Sequence, residues 1–176
     1  MRSLALVGVL LASPALATGI EIELGGGVTG TVAIELFEDV APNHVERIAA
    51  LAESGAYDDV VFHRVIDGFM AQTGDVQFGK MGGDMARAGY GGSDLPDLEQ
   101  EFSDRPFERG VVGMARSGNS VDSANSQFFI MFQPAPHLNG DYTVVGEVTS
   151  GMEAIDQIPV TGQGDTVVMQ DVTVIE

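Results

Sequence analysis

The residues best suited to chemistry lie in two short stretches where isolated polar side chains interrupt large apolar ones: Phe62-His63-Arg64-Val65-Ile66-Asp67-Gly68-Phe69-Met70-Ala71-Gln72 and Ser126-Gln127-Phe128-Phe129-Ile130-Met131. Alternation along extended strands places Phe62 with Arg64, Met70 with Gln72, and Gln127 with Phe129 and Met131. An unpaired guanidinium in ordinary core would be very costly. These faces therefore predict an apolar groove carrying a few fixed hydrogen-bond donors. With Cys 0 there is no thiolate metal site, and His44 and His137 are too far apart in sequence to suggest zinc. His63 reads as a satisfied structural histidine, not a base. The acids at Asp84 and at Asp94, Asp97 and Glu99 lack calcium-loop spacing and read as a solvated face.

The elements that must position these stretches are mostly strands. Ile20 to Leu24 and Val32 to Leu36 alternate apolar and polar around a glycine-rich turn, a hairpin of half-buried strands. From Ala41 to Ser54 the period becomes helical, with Pro42 early, Val45, Ile48, Ala49 and Leu51 on one stripe, and Gly55 as the stop. Further strands are expected at Val60 to Ile66, Phe69 to Thr73, Val111 to Ala115, Ser126 to Phe132, Thr143 to Val148 and Thr166 to Ile175, with a short helix at Met152 to Ile158. About eight strands arriving without intervening helices argue for antiparallel pairing, and a closed barrel avoids exposed edges best. The polar, glycine-rich run from Val76 to Arg109 reads as a long surface loop of the functional or mobile kind.

Composition narrows the partners. Lys+Arg 8 against Asp+Glu 26 gives a formal charge of −18 over 176 residues, which argues against nucleic acid and anionic membrane surfaces. No stretch reaches the ~20 apolar residues of a membrane span. Residues 1–17 read as a secretory signal peptide: Met1-Arg2 is positive, Ser3 to Leu16 is almost wholly apolar, and Ala15-Leu16-Ala17 supplies small residues before a cut. The folded domain is then 18–176, a single exported unit.

In order along the chain, Phe62-His63-Arg64-Val65-Ile66, Gly68-Phe69-Met70, Gln72, Gly74-Asp75, Ser126-Gln127-Phe128-Phe129-Ile130, His137-Leu138-Asn139-Gly140 and Thr143-Val144-Val145-Gly146 resemble the cyclophilins, a family of peptidyl-prolyl cis-trans isomerases. The resemblance implies an all-β fold, a closed eight-stranded antiparallel β-barrel with two capping helices, and a substrate groove on its outer surface. It implies Arg64 as catalytic residue. Phe69, Met70, Phe129 and Leu138 would form the proline-ring pocket, and Gln72 would steady the arginine and substrate. Gln127, Ala115 and the backbone at Arg116 would form the groove for residues before proline, with Gly89 in a glycine-rich wall. No cofactor is implied; the partners would be proline-containing peptides and unfolded or folding proteins, met by a monomer.

Four positions depart from the family pattern. Asp67 replaces a usual Pro and is expected to loosen the turn before Phe69. Arg116 replaces a common Asn, and Tyr142 a groove histidine, which is expected to shift substrate preference but keep activity. His137 replaces a Trp, so cyclosporin binding is expected to be weak. A signal peptide fits export across a bacterial inner membrane or entry to an endoplasmic reticulum; the resemblance to bacterial members favours the first, so a periplasmic location is expected. A rival reading is a proline-peptide binding module or chaperone using the same groove without turnover, and a third is a structural subunit of an envelope complex. Arg64 discriminates the first two, because only an isomerase depends on it for rate.

Overall fold

A computed structural model describes residues 18–176; the signal peptide expected at 1–17 lies outside the described residues. The chain runs through β1 (Gly19–Gly26), β2 (Gly30–Leu36), α1 (Pro42–Glu53), β3 (Val60–Val61), β4 (Arg64–Ile66), β5 (Met70–Thr73), β6 (Val111–Met114), β7 (Phe128–Met131), β8 (Val144–Ser150), α2 (Met152–Ile155) and β9 (Val167–Ile175). Alternation does what it predicts in the hairpin: Ile20, Ile22, Leu24, Val32, Ile34 and Leu36 are buried while Glu21, Glu23 and Glu35 face solvent. In α1, Val45, Ile48, Leu51 and Ala52 are buried, and the helix packs on β9 and β1. Pro42 stands at its start, where no backbone N–H is needed, and Gly55 ends it with φ 68°. Helix α2 stops at Ile155 instead of reaching Ile158, because Gln157 and Ile158 turn back to carbonyls three residues earlier and Pro159 follows.

All nine strands form one antiparallel sheet in the order β3-β9-β1-β2-β8-β6-β7-β5-β4. This corrects the expected closed barrel of eight strands. The difference arises in the segment read as one strand, Val60 to Ile66, which breaks at Phe62-His63 into two pieces that pair at opposite edges of the sheet, β3 with β9 and β4 with β5. Phe62 N–H donates to Val167 O and Val61 N–H to Gly79 O, so neither is free to continue a ladder toward β5. The sheet curls until its two edges are separated by those two residues. The Thr73 hydroxyl donates to Val61 O across the gap at 2.9 Å, and the edge amide of Val65 donates to the Thr161 hydroxyl at 2.7 Å.

The break also changes the phase of the side chains. Val60 and Phe62 belong to the interior cluster, and so does Val65; Arg64 is exposed. The expectation that Phe62 and Arg64 share a face is therefore wrong, since alternation holds only within an unbroken strand. Inside the curl, Val112, Met114, Phe128, Ile130 and Val145 join the interior cluster. Their neighbours Val111, Phe129, Met131 and Val144 point outward into a second cluster with Phe37, Met70, Phe107, Ala135 and Leu138. A two-sided sheet thus carries a core on one face and an apolar outer shelf on the other.

The run from Val76 to Arg109 contains no strand, as expected, but it is tied down. Buried Arg47 donates to Pro96 O at 2.8 Å and Asn125 O at 3.2 Å. Asn125 in turn bonds Ser93, Leu95 and Asp97. Among the described residues no helix is long and apolar enough to cross a membrane.

Candidate active site

The outer shelf ends in a row of side chains set by strand register. Arg64 on β4 is opposite Gln72 on β5, Gln72 is opposite Phe129 on β7, and Phe129 is opposite Gly113 on β6. The next row carries Ile66, Met70 and Met131. Antiparallel neighbours in a row point the same way, so guanidinium, amide and ring stand side by side across three strands. Gly113 makes the row possible: a Cβ there would lie 2.5 Å from Phe107 Cε1 and 2.6 Å from Phe129 Cζ. The two rings use that space to stack, centroids 5.7 Å apart at 24°, while Tyr142 meets Phe129 edge-on at 5.8 Å.

Arg64, Phe69, Met70, Gln72, Ala115, Arg116, Phe129, Leu138 and Tyr142 line a cavity of 170 Å³. A second cavity of 480 Å³ adjoins it; Gln72, Ala115 and Arg116 line both, and Gly89 and Gln127 line only the second. All eleven residues singled out from the sequence thus gather around one two-part groove. Arg64 Nη1 donates to Gln72 Oε1 at 3.2 Å and touches Met70 Sδ at 3.9 Å. Among the described residues no carboxylate lies within 4.0 Å of it, so its charge is not spent on an internal ion pair. Arg116 is held at the groove rim by the carbonyls of Asp141 and Ser117, with its guanidinium 4.5 Å from the Tyr142 ring centroid. The turn before Phe69 is closed despite Asp67, by Phe69 N–H to Ile66 O at 3.1 Å, with Gly68 at φ 65°. His137 lies against Phe69 with centroids 5.7 Å apart.

Three features were missed from sequence. Asp75 is fully buried and accepts backbone N–H bonds from Gln77, Phe78, Gly89 and Gly91; the sequence offered it only as part of the Gly74-Asp75 motif, with no role attached. Phe107 and Gly113, which hold Phe129 in place, carry no local signal at all. His63 was expected to be satisfied, and this is corrected: both ring nitrogens are buried without a hydrogen-bond partner. Burial pushes its pKa down and outweighs the pull of Asp75, keeping the imidazole neutral. Among the described residues no cluster of three or more His, Asp or Glu is placed to hold a metal ion.

The arrangement can seat an uncharged ring against Phe129, Met70 and Leu138 and set a fixed cation at the rim of that seat. Comparison with known proteins agrees with this chemistry. The family model "Cyclophilin type peptidyl-prolyl cis-trans isomerase/CLD" matches residues 20–176. A "Probable peptidyl-prolyl cis-trans isomerase" of Brucella suis is 64% identical over 131 residues, covering 73% of this chain and 66% of the relative. The match thus spans just under two thirds of that relative's length. "Peptidyl-prolyl cis-trans isomerase B" of Bacillus subtilis is 41% identical over 123 residues, 69% of this chain and 78% of the relative. A cyclophilin type isomerase of Cryptosporidium parvum superposes with a TM-score of 0.77 at 25% identity, covering 92% of this chain and 99% of that one. A second structure of it, in the presence of dipeptide Ala-Pro, gives 0.75 at 25% identity, covering 90% and 99%.

Proposed function

The chain belongs to the cyclophilin-type peptidyl-prolyl cis-trans isomerases, and from that premise we propose that it accelerates rotation about X-Pro bonds, with Arg64 as the catalytic residue. The reaction makes and breaks no covalent bond. It must overcome a barrier of about 18–20 kcal/mol that arises from C–N double-bond character. Twisting the amide localises the lone pair on a pyramidal proline nitrogen, which then accepts a hydrogen bond that neither planar isomer accepts. A guanidinium donating to that nitrogen lowers the barrier without equally stabilising either ground state. Phe69, Met70, Phe129 and Leu138 grip the ring while the carbonyl side turns. Gln72 holds the arginine, and Gln127, Ala115, Gly89 and the backbone of Arg116 receive the residues before proline. Nothing in this mechanism calls for a nucleophile or a cofactor.

The observation that carries the reading is Arg64, oriented by Gln72 at 3.2 Å at the rim of the apolar seat and without a carboxylate partner among the described residues. The test is the cis-to-trans rate of a short X-Pro reporter peptide at low temperature, wild type beside Arg64→Ala. The expected result is a fall of about 10²–10³ in kcat with the peptide still bound. Binding without acceleration by either protein would replace the isomerase with a recognition module. The substrates under this reading are proline-containing peptides in folding proteins, where uncatalysed exchange takes roughly tens to hundreds of seconds. The protein works as a monomer, is exported to the periplasm, and binds cyclosporin weakly because His137 offers a smaller face than a Trp.

A further inference from the structure

The groove amides form a chain with one direction. Arg64 Nη1 donates to Gln72 Oε1 at 3.2 Å, Gln72 Nε2 donates to Gln127 Oε1 at 2.9 Å, and Gln127 Nε2 donates to Gly89 O at 3.0 Å and Gly91 O at 2.7 Å. A guanidinium has no acceptor, so Gln72 must turn its oxygen toward Arg64, and its nitrogen then faces Gln127. Gln127 must in turn present its oxygen, which leaves its nitrogen for the loop carbonyls. Both amides are therefore held between the guanidinium at one end and the carbonyls of Gly89 and Gly91 at the other.

Those carbonyls are set by one side chain. Asp75 Oδ2 accepts the N–H groups of the same two glycines, at 2.7 Å from Gly89 and 3.0 Å from Gly91, while Oδ1 accepts Gln77 N–H at 3.1 Å and Phe78 N–H at 2.9 Å. The carboxylate is 0% exposed, and no cation lies within 4.0 Å of it among the described residues. Its negative charge is answered only by backbone donors, which fix the loop strongly in a buried setting. Gly89 is also locked from behind: it sits at φ 98°, and a Cβ on it would lie 2.9 Å from the His63 ring, so the loop has little room to move toward the sheet.

We propose that Asp75 is a remote positioning residue for Arg64, acting through the Gly89–Gly91 loop, Gln127 and Gln72 to fix where the guanidinium donates. The inference rests on the isomerase reading for its kinetic consequence but not for its geometry. The discriminating variant is Asp75→Asn, which has one acceptor oxygen and must set an NH₂ group against one of the two donor pairs, releasing the loop at Gly89 and Gly91 or loosening its anchor at Gln77 and Phe78.

In folded Asp75→Asn, checked by circular dichroism, kcat should fall about tenfold while KM stays within about threefold, the signature of a displaced donor and not of lost binding. The side-chain NH₂ resonances of Gln72 and Gln127 and the Nε–H resonance of Arg64 should shift. In an Arg64→Ala background the same change should alter the residual rate by less than about twofold, because no guanidinium remains to misplace. An equal loss in both backgrounds, or unmoved resonances in the folded variant, would overturn the proposal. If Asp75→Asn does not fold, Gln127→Met removes the middle amide: a shifted Arg64 Nε–H resonance supports the chain, and an unshifted one sinks it. Should wild type not turn over at all, the isomerase reading fails while the resonances still decide the relay.

Discussion

His63 is the immediate neighbour of Arg64, yet it faces away from the groove: its ring lies behind Gly89 and lines a separate 240 Å³ cavity with Met85, Ala88 and Thr161. Its role is to fill space while neutral, which makes it a liability in acid. Because burial lowers the folded-state pKa below the unfolded value of 6.5, the unfolded chain binds the proton more readily. The stability present above that value is lost as pH falls below it. Glu101 acts in the same direction lower down. Burial raises its pKa, but the bonds from His44 and Asn43 outweigh this and hold it below 4.5, so its contribution too is lost on acidification. The urea midpoint should therefore be lower at about pH 5.5 than at about pH 7.5, and the difference should shrink in His63→Leu. An unchanged difference in that variant would remove His63 from the account.

At the scale of elements, the site is a product of register. Arg64, Gln72 and Phe129 come from three strands and meet because β4, β5 and β7 pair in that alignment. Gly113, one strand further on, lets Phe107 and Phe129 stack over bare backbone. Gly113→Ala, at a position with no unusual backbone angle, should push Phe129 into the ring seat, destabilising the protein by about 1–3 kcal/mol and raising KM for proline peptides more than it lowers kcat. A variant with unaltered KM would show that the seat does not depend on that stacking. Much of this was legible beforehand: the Met70/Gln72 and Gln127/Phe129/Met131 faces follow from alternation, and the strand positions from apolar runs bounded by glycine and polar turns. What alternation could not reveal was the interruption at Phe62-His63, since those two residues leave the ladder for contacts with Val167 and the Gly89 loop that lie far away in sequence. Asp75 was opaque for the same reason. Its four donors belong to a loop whose course only the folded molecule defines.

For the molecule as a whole, charge dominates. The formal −18 is little offset internally: among the described residues the only Lys or Arg paired with a carboxylate is Arg109, with Asp156, and that pair is exposed and screened. Lys80 is bound by the carbonyls of Gly55 and Asp58, and Arg87 and Arg105 lie over the Phe78 and Phe37 rings. The acids therefore give the molecule a net negative field that favours approach by cationic chains. A reporter peptide flanked by lysines should show a severalfold lower KM than one flanked by glutamates at low salt, with the gap closing at about 0.5 M salt, where the screening length falls to a few ångströms. Equal KM values at low salt would mean that contacts within the groove alone choose the substrate.

The pairing of β9 with both β1 and β3 has a temporal side. The earliest strand in the sequence finds its longest partner in the latest one, Gly19 opposite Ile175, and α1 too leans on β9. During synthesis the hairpin of β1 and β2 emerges with both flanks bare; β2 waits for Val144 to Ser150, and β1 waits longer still for Val167 to Ile175. Such distant pairing makes sheet formation slow compared with local structure. The nascent polypeptide consequently remains pliant and threadable until its final strand has been made.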